Sequence, residues 1–199
     1  MSLRFLTAFS LAASVFLGAA GGACANPVMN NNDPEGRFSG GMTERQRNRL
    51  FGPSIKRTQV SFPSKLPAGS IVVNITERRL YYVLGGGQAL RYGIGVGRDG
   101  FTWAGDMTVT LKKEWPDWTP PPQMLKRRPD LPRFMKGGED NPLGARAMYL
   151  GSSLFRIHGT SEPETIGEAV SSGCFRLVNE DVIDLYNRVK IGARVVVQR

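Results

Sequence analysis

With 199 residues, 41% of them hydrophobic and 22% charged, the chain has room for one globular domain of ordinary size plus tails. Its 24 glycines and 13 prolines favour a turn-rich β protein and speak against a helical bundle. A formal charge of +9 suits anionic surroundings such as envelope polymers or a membrane surface, where a peripheral contact is compatible with it. No Lys/Arg run with interleaved aromatics marks a nucleic-acid site, so nucleic acid is not expected as a partner.

The N-terminus reads as an export signal. Arg4 supplies the positive start, Phe5 to Ala19 an apolar run too short for a comfortable membrane span, and Ala23-Cys24-Ala25 a small-residue cleavage site. Residues 1–25 are therefore expected to be a signal peptide that directs the chain to the periplasm or cell envelope. A lipoprotein signal using Cys24 would need a bulky apolar residue that Gly21-Gly22-Ala23 lacks. Cleavage there removes Cys24 and leaves Cys174 as the one thiol. An unpaired cysteine in an oxidising compartment is a liability unless it has a chemical task. One Cys and one His are too few for a typical structural zinc site, and no metal or cofactor is expected.

Residues 26–56 are polar and irregular, a flexible segment in which Thr43 to Leu50 has the pattern of one short helix. Residues 57–199 form the predicted domain. Ile71 to Ile75, Leu80 to Leu84 and Ala89 to Val96 read as an antiparallel meander, turned at Gly85-Gly86-Gly87. Asn74-Ile75-Thr76 spells a glycosylation sequon at a strand position, most simply a coincidence. Gly95-Val96-Gly97-Arg98-Asp99-Gly100 spells G-x-G-x-x-G, but no helical period follows, and a dinucleotide site needs a helix opening from that loop. Met107 to Leu111 alternates as a further strand.

Residues 112–144 break the pattern. Trp115, Trp118, Pro120-Pro121-Pro122, Lys126-Arg127-Arg128 and Gly137-Gly138 lie in a stretch without period, long enough to form a lid or binding loop, or else a surface connection anchored by its tryptophans. Ala145 to Tyr149 and Leu154 to Ile157 predict a hairpin whose second strand ends at His158. Asn179 is a candidate helix cap, with Val182, Leu185, Tyr186 and Val189 at helical spacing behind it. Gly192 ends that helix, and Arg194 to Val197 predicts a closing strand.

The chemistry concentrates between Ile157 and Asn179. His158, the one histidine of the chain, precedes Cys174 by sixteen residues. An imidazole beside a thiol can take its proton and leave a thiolate able to attack a carbonyl. Gly159 and Gly173 let backbone pass close to a substrate and are candidates, with Cys174, for amides that hold an oxyanion. Alone, His158 reads as a packed strand-end histidine and Cys174 as a small buried hydrophobe; together they are the parts of a nucleophile and its base.

The ordered set His158-Gly159, then Ser171-Ser172-Gly173-Cys174-Phe175-Arg176 and Asn179, resembles the L,D-transpeptidase catalytic domain family, also called YkuD-type. The resemblance covers roughly residues 58–198. Ser172 stands where many members carry His, which leaves His158 as the sole candidate base. The fold it implies is mainly β, a sandwich-like or barrel-like structure with a few short helices and a long loop over the cleft. The activity it implies is acyl transfer on peptidoglycan stem peptides: Cys174 attacks the third stem residue, D-alanine leaves, and an amine takes the acyl group. That amine belongs to another stem peptide or to the lysine of an envelope lipoprotein. Arg176 is expected to attract a substrate carboxylate or brace the Cys174 loop, Ser171 and Ser172 to support that loop, and a backbone carbonyl near Gly159 to orient His158. Two other readings use the same residues differently: an L,D-carboxypeptidase or endopeptidase that passes the acyl group to water, and a noncatalytic wall-binding module.

Overall fold

The computed structural model describes residues 55–199; the expected signal peptide, the Thr43–Leu50 helix and most of the polar segment lie outside the described residues. The domain is built on strands, in the order β1 (Thr58–Ser61), β2 (Ile71–Asn74), β3 (Arg79–Gly85), β4 (Gln88–Gly93), β5 (Val96–Gly97) and β6 (Gly105–Glu114). There follow helix α1 (Pro122–Arg127), β7 (Arg146–Leu150), β8 (Arg156–His158), a 3-10 turn at Pro163–Thr165, β9 (Ala169–Ser171), β10 (Phe175–Arg176), helix α2 (Asn179–Arg188) and β11 (Arg194–Gln198).

Nine strands form one sheet in the order β1-β4-β3-β2-β11-β6-β7-β8-β10, and β5 pairs with β9 in a second, two-stranded sheet. The predicted meander is present as β2-β3-β4. The barrel-like expectation is corrected: the edge strands β1 and β10 do not pair, and the large sheet stays open. One antiparallel bridge between Gly95 and Arg176 ties the end of the meander to the last strand.

The last strand takes a central place that its sequence does not announce. β11 lies between β2, to which it is parallel, and β6, to which it is antiparallel. Its Val195 and Val197 enter one core with Ile71, Val73, Leu80 and Tyr92, all at most 3% exposed. Removing a branched aliphatic side chain from water contributes about 1.5–3 kcal/mol, so these β-branched runs are what fixes the sheet.

Helix α2 lies against β7. Val182, Leu185 and Val189 present the buried stripe that their spacing predicts. Lys112, from β6, donates to the carbonyls of Tyr186 and Val189 at 2.6 and 2.7 Å and so closes the exposed end of the helix with a cation. Near the middle of the helix Tyr92 donates to Asp184, which fixes α2 to the meander.

Residues 112–144 are a wall of the cleft. β6 runs on to Glu114, and Trp118 and Met135 then bridge through two mutual backbone bonds of 2.8 Å. The loop so closed carries α1. Asn141 holds its base, donating to the carbonyls of Met135 and Lys136 and accepting from the Leu143 N–H.

Candidate active site

Two neighbouring strands bring the chemistry together. β10 runs parallel to β8, with Phe175 opposite Ile157 and Arg176 opposite His158. Side chains alternate along a strand, so the register that buries Ile157 and Phe175 turns Arg156, His158, Cys174 and Arg176 to the other face. These four side chains line one cavity of about 940 Å³. Across the strand pair His158 and Cys174 are diagonal neighbours, close enough for side chains to meet.

Each member of the pair is held by backbone groups. His158 Nδ1 lies 2.6 Å from the Gly159 carbonyl, which only accepts. Nδ1 therefore carries the proton, and Nε2 is left with the free lone pair a base requires. Burial, chiefly, pushes the imidazole down to about 4; the nearby Arg176 and Arg156 cations add to that shift, and backbone hydrogen bonds with Gly159 and Leu143 oppose it. Burial also raises the Cys174 thiol, opposed by its contacts with Arg156. At neutral pH the resting pair is thus a neutral thiol and a neutral imidazole, with the thiol 3.7 Å from the Leu154 carbonyl.

The loop carrying Cys174 is fixed from several sides. Ser171 Oγ donates to the Cys174 carbonyl at 2.7 Å and accepts the Gly173 N–H at 3.2 Å. Trp103 donates to the Gly173 carbonyl at 2.9 Å and stacks on Phe155 at 4.7 Å. Gly173 has φ +107°, and a Cβ there would lie 2.6 Å from the Phe155 ring. Glycine is thus required by both conformation and space.

The loop after His158 is pinned by Asn179. The Asn179 Oδ1 accepts from Ala145 N–H at 2.9 Å and Thr160 N–H at 3.3 Å. It caps no helix, contrary to the expectation from sequence: the residue preceding α2 is Val178, and α2 has no side-chain cap. Its amide instead crosses to the strand ends that present His158. A Cβ at Gly159 would fall 2.3 Å from that oxygen, so a glycine follows the histidine because the two segments touch.

Arg176 braces the same loop further on. It is 9% exposed and donates to Thr165 Oγ1 at 2.8 Å and to Glu162 at 3.4 Å.

Of the residues singled out in the sequence, Cys174, His158, Arg176, Ser171 and Ser172 share the cavity. The two glycine amides do not serve as open donors. Gly159 N–H donates to the Arg146 carbonyl at 3.0 Å and Gly173 N–H to Ser171. The Cys174 N–H has no protein acceptor among the described residues. Sequence reasoning missed Asn179 in its bridging role, Arg156, Trp103, and the arginines of the opposite wall, Arg98 and Arg127. Arg156 had a signal, lying two residues before His158 on a strand and so on the same face.

The G-x-G-x-x-G stretch runs through β5 into a turn at Gly100, and no helix opens from it. It lacks the helix N-terminus that a dinucleotide's pyrophosphate needs. Among the described residues no three His, Cys, Asp or Glu side chains gather as a metal site.

A model of the L,D-transpeptidase catalytic domain, YkuD, matches residues 68–197. The probable L,D-transpeptidase ErfK/SrfK of Escherichia coli K12 is 40% identical over 146 residues, 69% of this chain and 46% of that protein. The probable L,D-transpeptidase YbiS of the same strain is 39% identical with the same coverage. The chain thus spans about half the length of the curated relatives it matches. Among solved structures, an L,D-transpeptidase from Mycobacterium smegmatis shares the fold, with a TM-score of 0.52 at 20% identity over 65% of this chain and 58% of that one. A Brucella melitensis protein described as a probable carnitine operon oxidoreductase is 45% identical, with a TM-score of 0.50, over 73% of this chain and 95% of that one.

Proposed function

The chain belongs to the L,D-transpeptidase catalytic domain family, and on that premise we propose that it is a peptidoglycan L,D-transpeptidase of the cell envelope with Cys174 as nucleophile and His158 as base. The observation that supports the reading is the shared face of β8 and β10, on which His158 and Cys174 are diagonal neighbours lining one cavity.

The steps follow from the protonation states. A peptide carbonyl enters, the thiol turns from Leu154 to Nε2, and the proton passes to the imidazole as sulfur bonds to carbon. An imidazole pushed down to about 4 is a reluctant acceptor, and the step is favourable only when transfer is concerted with attack. Arg156, opposite Cys174 in register, stabilises the charge that develops on sulfur. The same low value makes the imidazolium a strong acid, which returns the proton to the departing D-alanine amine as the C–N bond breaks. The acyl group is then a thioester. An amine attacks it, loses its proton to Nε2, and the C–S bond breaks to restore the thiol. The Cys174 N–H is the donor we assign to the oxyanion. The amine comes from a second stem peptide or from an envelope protein's lysine, and residues 1–25 serve as the export signal.

Incubation with a tetrapeptide stem and an amine acceptor tests this. The expected products are free D-alanine and a tripeptide joined to the acceptor. Free tripeptide alone would identify an L,D-carboxypeptidase, and a Cys174→Ala protein with unchanged D-alanine release would rule out both enzymes.

A further inference from the structure

Beyond the Arg156 that lies beside Cys174, the cleft carries positive charge that acyl transfer itself does not use. Arg98, Arg127, Arg128, Arg156 and Arg176 line the cavity against one acid, Glu162. Three of the five are engaged: Arg176 with Thr165 and Glu162, Arg128 with Asp130, and Arg156 beside Cys174 and over Tyr149. Arg98 and Arg127 are different. Both are exposed, and neither has a carboxylate partner among the described residues. Both instead seat their guanidinium carbons on one ring, Phe101, at 4.4 and 5.1 Å from its centroid.

Two like charges drawn to one ring repel each other. Contact with the ring holds each guanidinium in place, and neither makes a side-chain hydrogen bond among the described residues, so their N–H groups can receive a planar carboxylate. The two arginines also come from separate elements. Arg98 follows β5, and its N–H donates to the Ser171 carbonyl of the loop carrying the nucleophile. Arg127 ends α1, on the long segment over the cleft.

We propose that Arg98 and Arg127, seated on Phe101, form a carboxylate subsite that reads a negatively charged side chain on the acyl-donor peptide. The inference rests on the transpeptidase reading and deepens it. The donor is favoured over the acceptor because Arg98 is hydrogen-bonded to the loop that holds Cys174, and the donor's acyl part stays bound to that loop through both halves of the reaction. A carboxylate between the two guanidinium groups would also relieve their repulsion and fasten α1 to the rest of the cleft.

Two tetrapeptide donors test it, one with free side-chain carboxylates and one with these converted to carboxamides, the C-terminal carboxylate kept in both. Acylation is followed by intact mass with wild-type protein, Arg98→Gln, Arg127→Gln and the double variant. For the wild type, KM for the carboxamide peptide should be about tenfold higher, the scale of one charge-assisted hydrogen bond. In the double variant the two KM values should converge while kcat for acylation is unchanged, and Arg98→Lys should restore part of the difference.

The same peptides bound to Cys174→Ala protein read the subsite without turnover. Preference for the carboxylate peptide in binding, lost in the double variant, supports the subsite even if no acyl-enzyme forms, in which case the transpeptidase reading alone fails. Normal acylation with equal KM values for both peptides in wild type overturns the subsite alone. An effect confined to capture of the acyl group by the amine would assign the arginines to the acceptor and overturn the proposal as stated.

Discussion

The two walls of the cleft are built on different principles. The His158–Cys174 wall is a strand pair: its side chains are fixed by register, by the Gly159 and Cys174 carbonyls, and by an asparagine that ties two strand ends together. The Arg98–Arg127 wall is loop and short helix, with exposed cations resting on a ring. Rigid elements hold geometry within the tolerance that proton transfer needs, and loops carry what can vary with the ligand. Damage to the first wall should therefore appear in the rate of chemistry, and damage to the second in KM.

The largest effect belongs to the pair itself. Cys174→Ala should abolish acyl-enzyme formation, and His158→Ala should slow acylation by about 10² to 10⁴-fold. Single-turnover mass spectrometry measures both.

Next comes the price of keeping an imidazole neutral underground. Its folded value of about 4 lies below the ordinary 6.5, so the stability it contributes is fully present above pH 6.5. As pH falls towards 4 the unfolded chain takes up a proton that the folded one refuses, and about 3 kcal/mol is lost. Asp181, raised to about 6 chiefly by burial, works in the opposite sense: the folded form gains relative stability as pH falls through 6. Urea unfolding of wild type and His158→Gln between pH 4 and 8 separates them. The wild type should lose more stability on acidification than the variant, and parallel curves would show that the imidazole is not buried neutral.

Asn179→Ala leaves the Ala145 and Thr160 N–H groups without their acceptor. A loss of about 1–3 kcal/mol is expected, together with roughly a tenfold fall in kcat for acylation, because the loop that presents the Gly159 carbonyl loosens. Thermal unfolding and single-turnover rates report the two parts. A fall in stability with kcat intact would make Asn179 a purely structural tie. The smallest effect on chemistry is expected at Arg127→Gln, where kcat should hold and only discrimination among peptides should change.

Much of the first wall was legible because its parts are local. The hairpin that delivers His158, the glycine before Cys174 and the apolar stripe of α2 each follow from period and spacing within a dozen residues. What escaped depends on contacts far apart in the chain. Asn179 reads as a cap because it precedes a helix, yet its oxygen is committed to residues 145 and 160. The amides of Gly159 and Gly173 look available until the sheet and Ser171 claim them. Phe101, Arg98 and Arg127 meet only because the long segment folds back over the cleft. The open sheet likewise depends on β11 entering between β2 and β6, which no local pattern encodes.

The central claim is a neutral thiol served by a buried base that ionises far below the usual histidine range. The most direct test follows the rate of acyl-enzyme formation on wild-type protein against pH, with the adduct mapped by peptide mass. A rate that holds from pH 7 to 5 and falls by half near 4, with all label on Cys174, is the predicted result. A midpoint near 6.5, or acyl groups on any other residue, would contradict it.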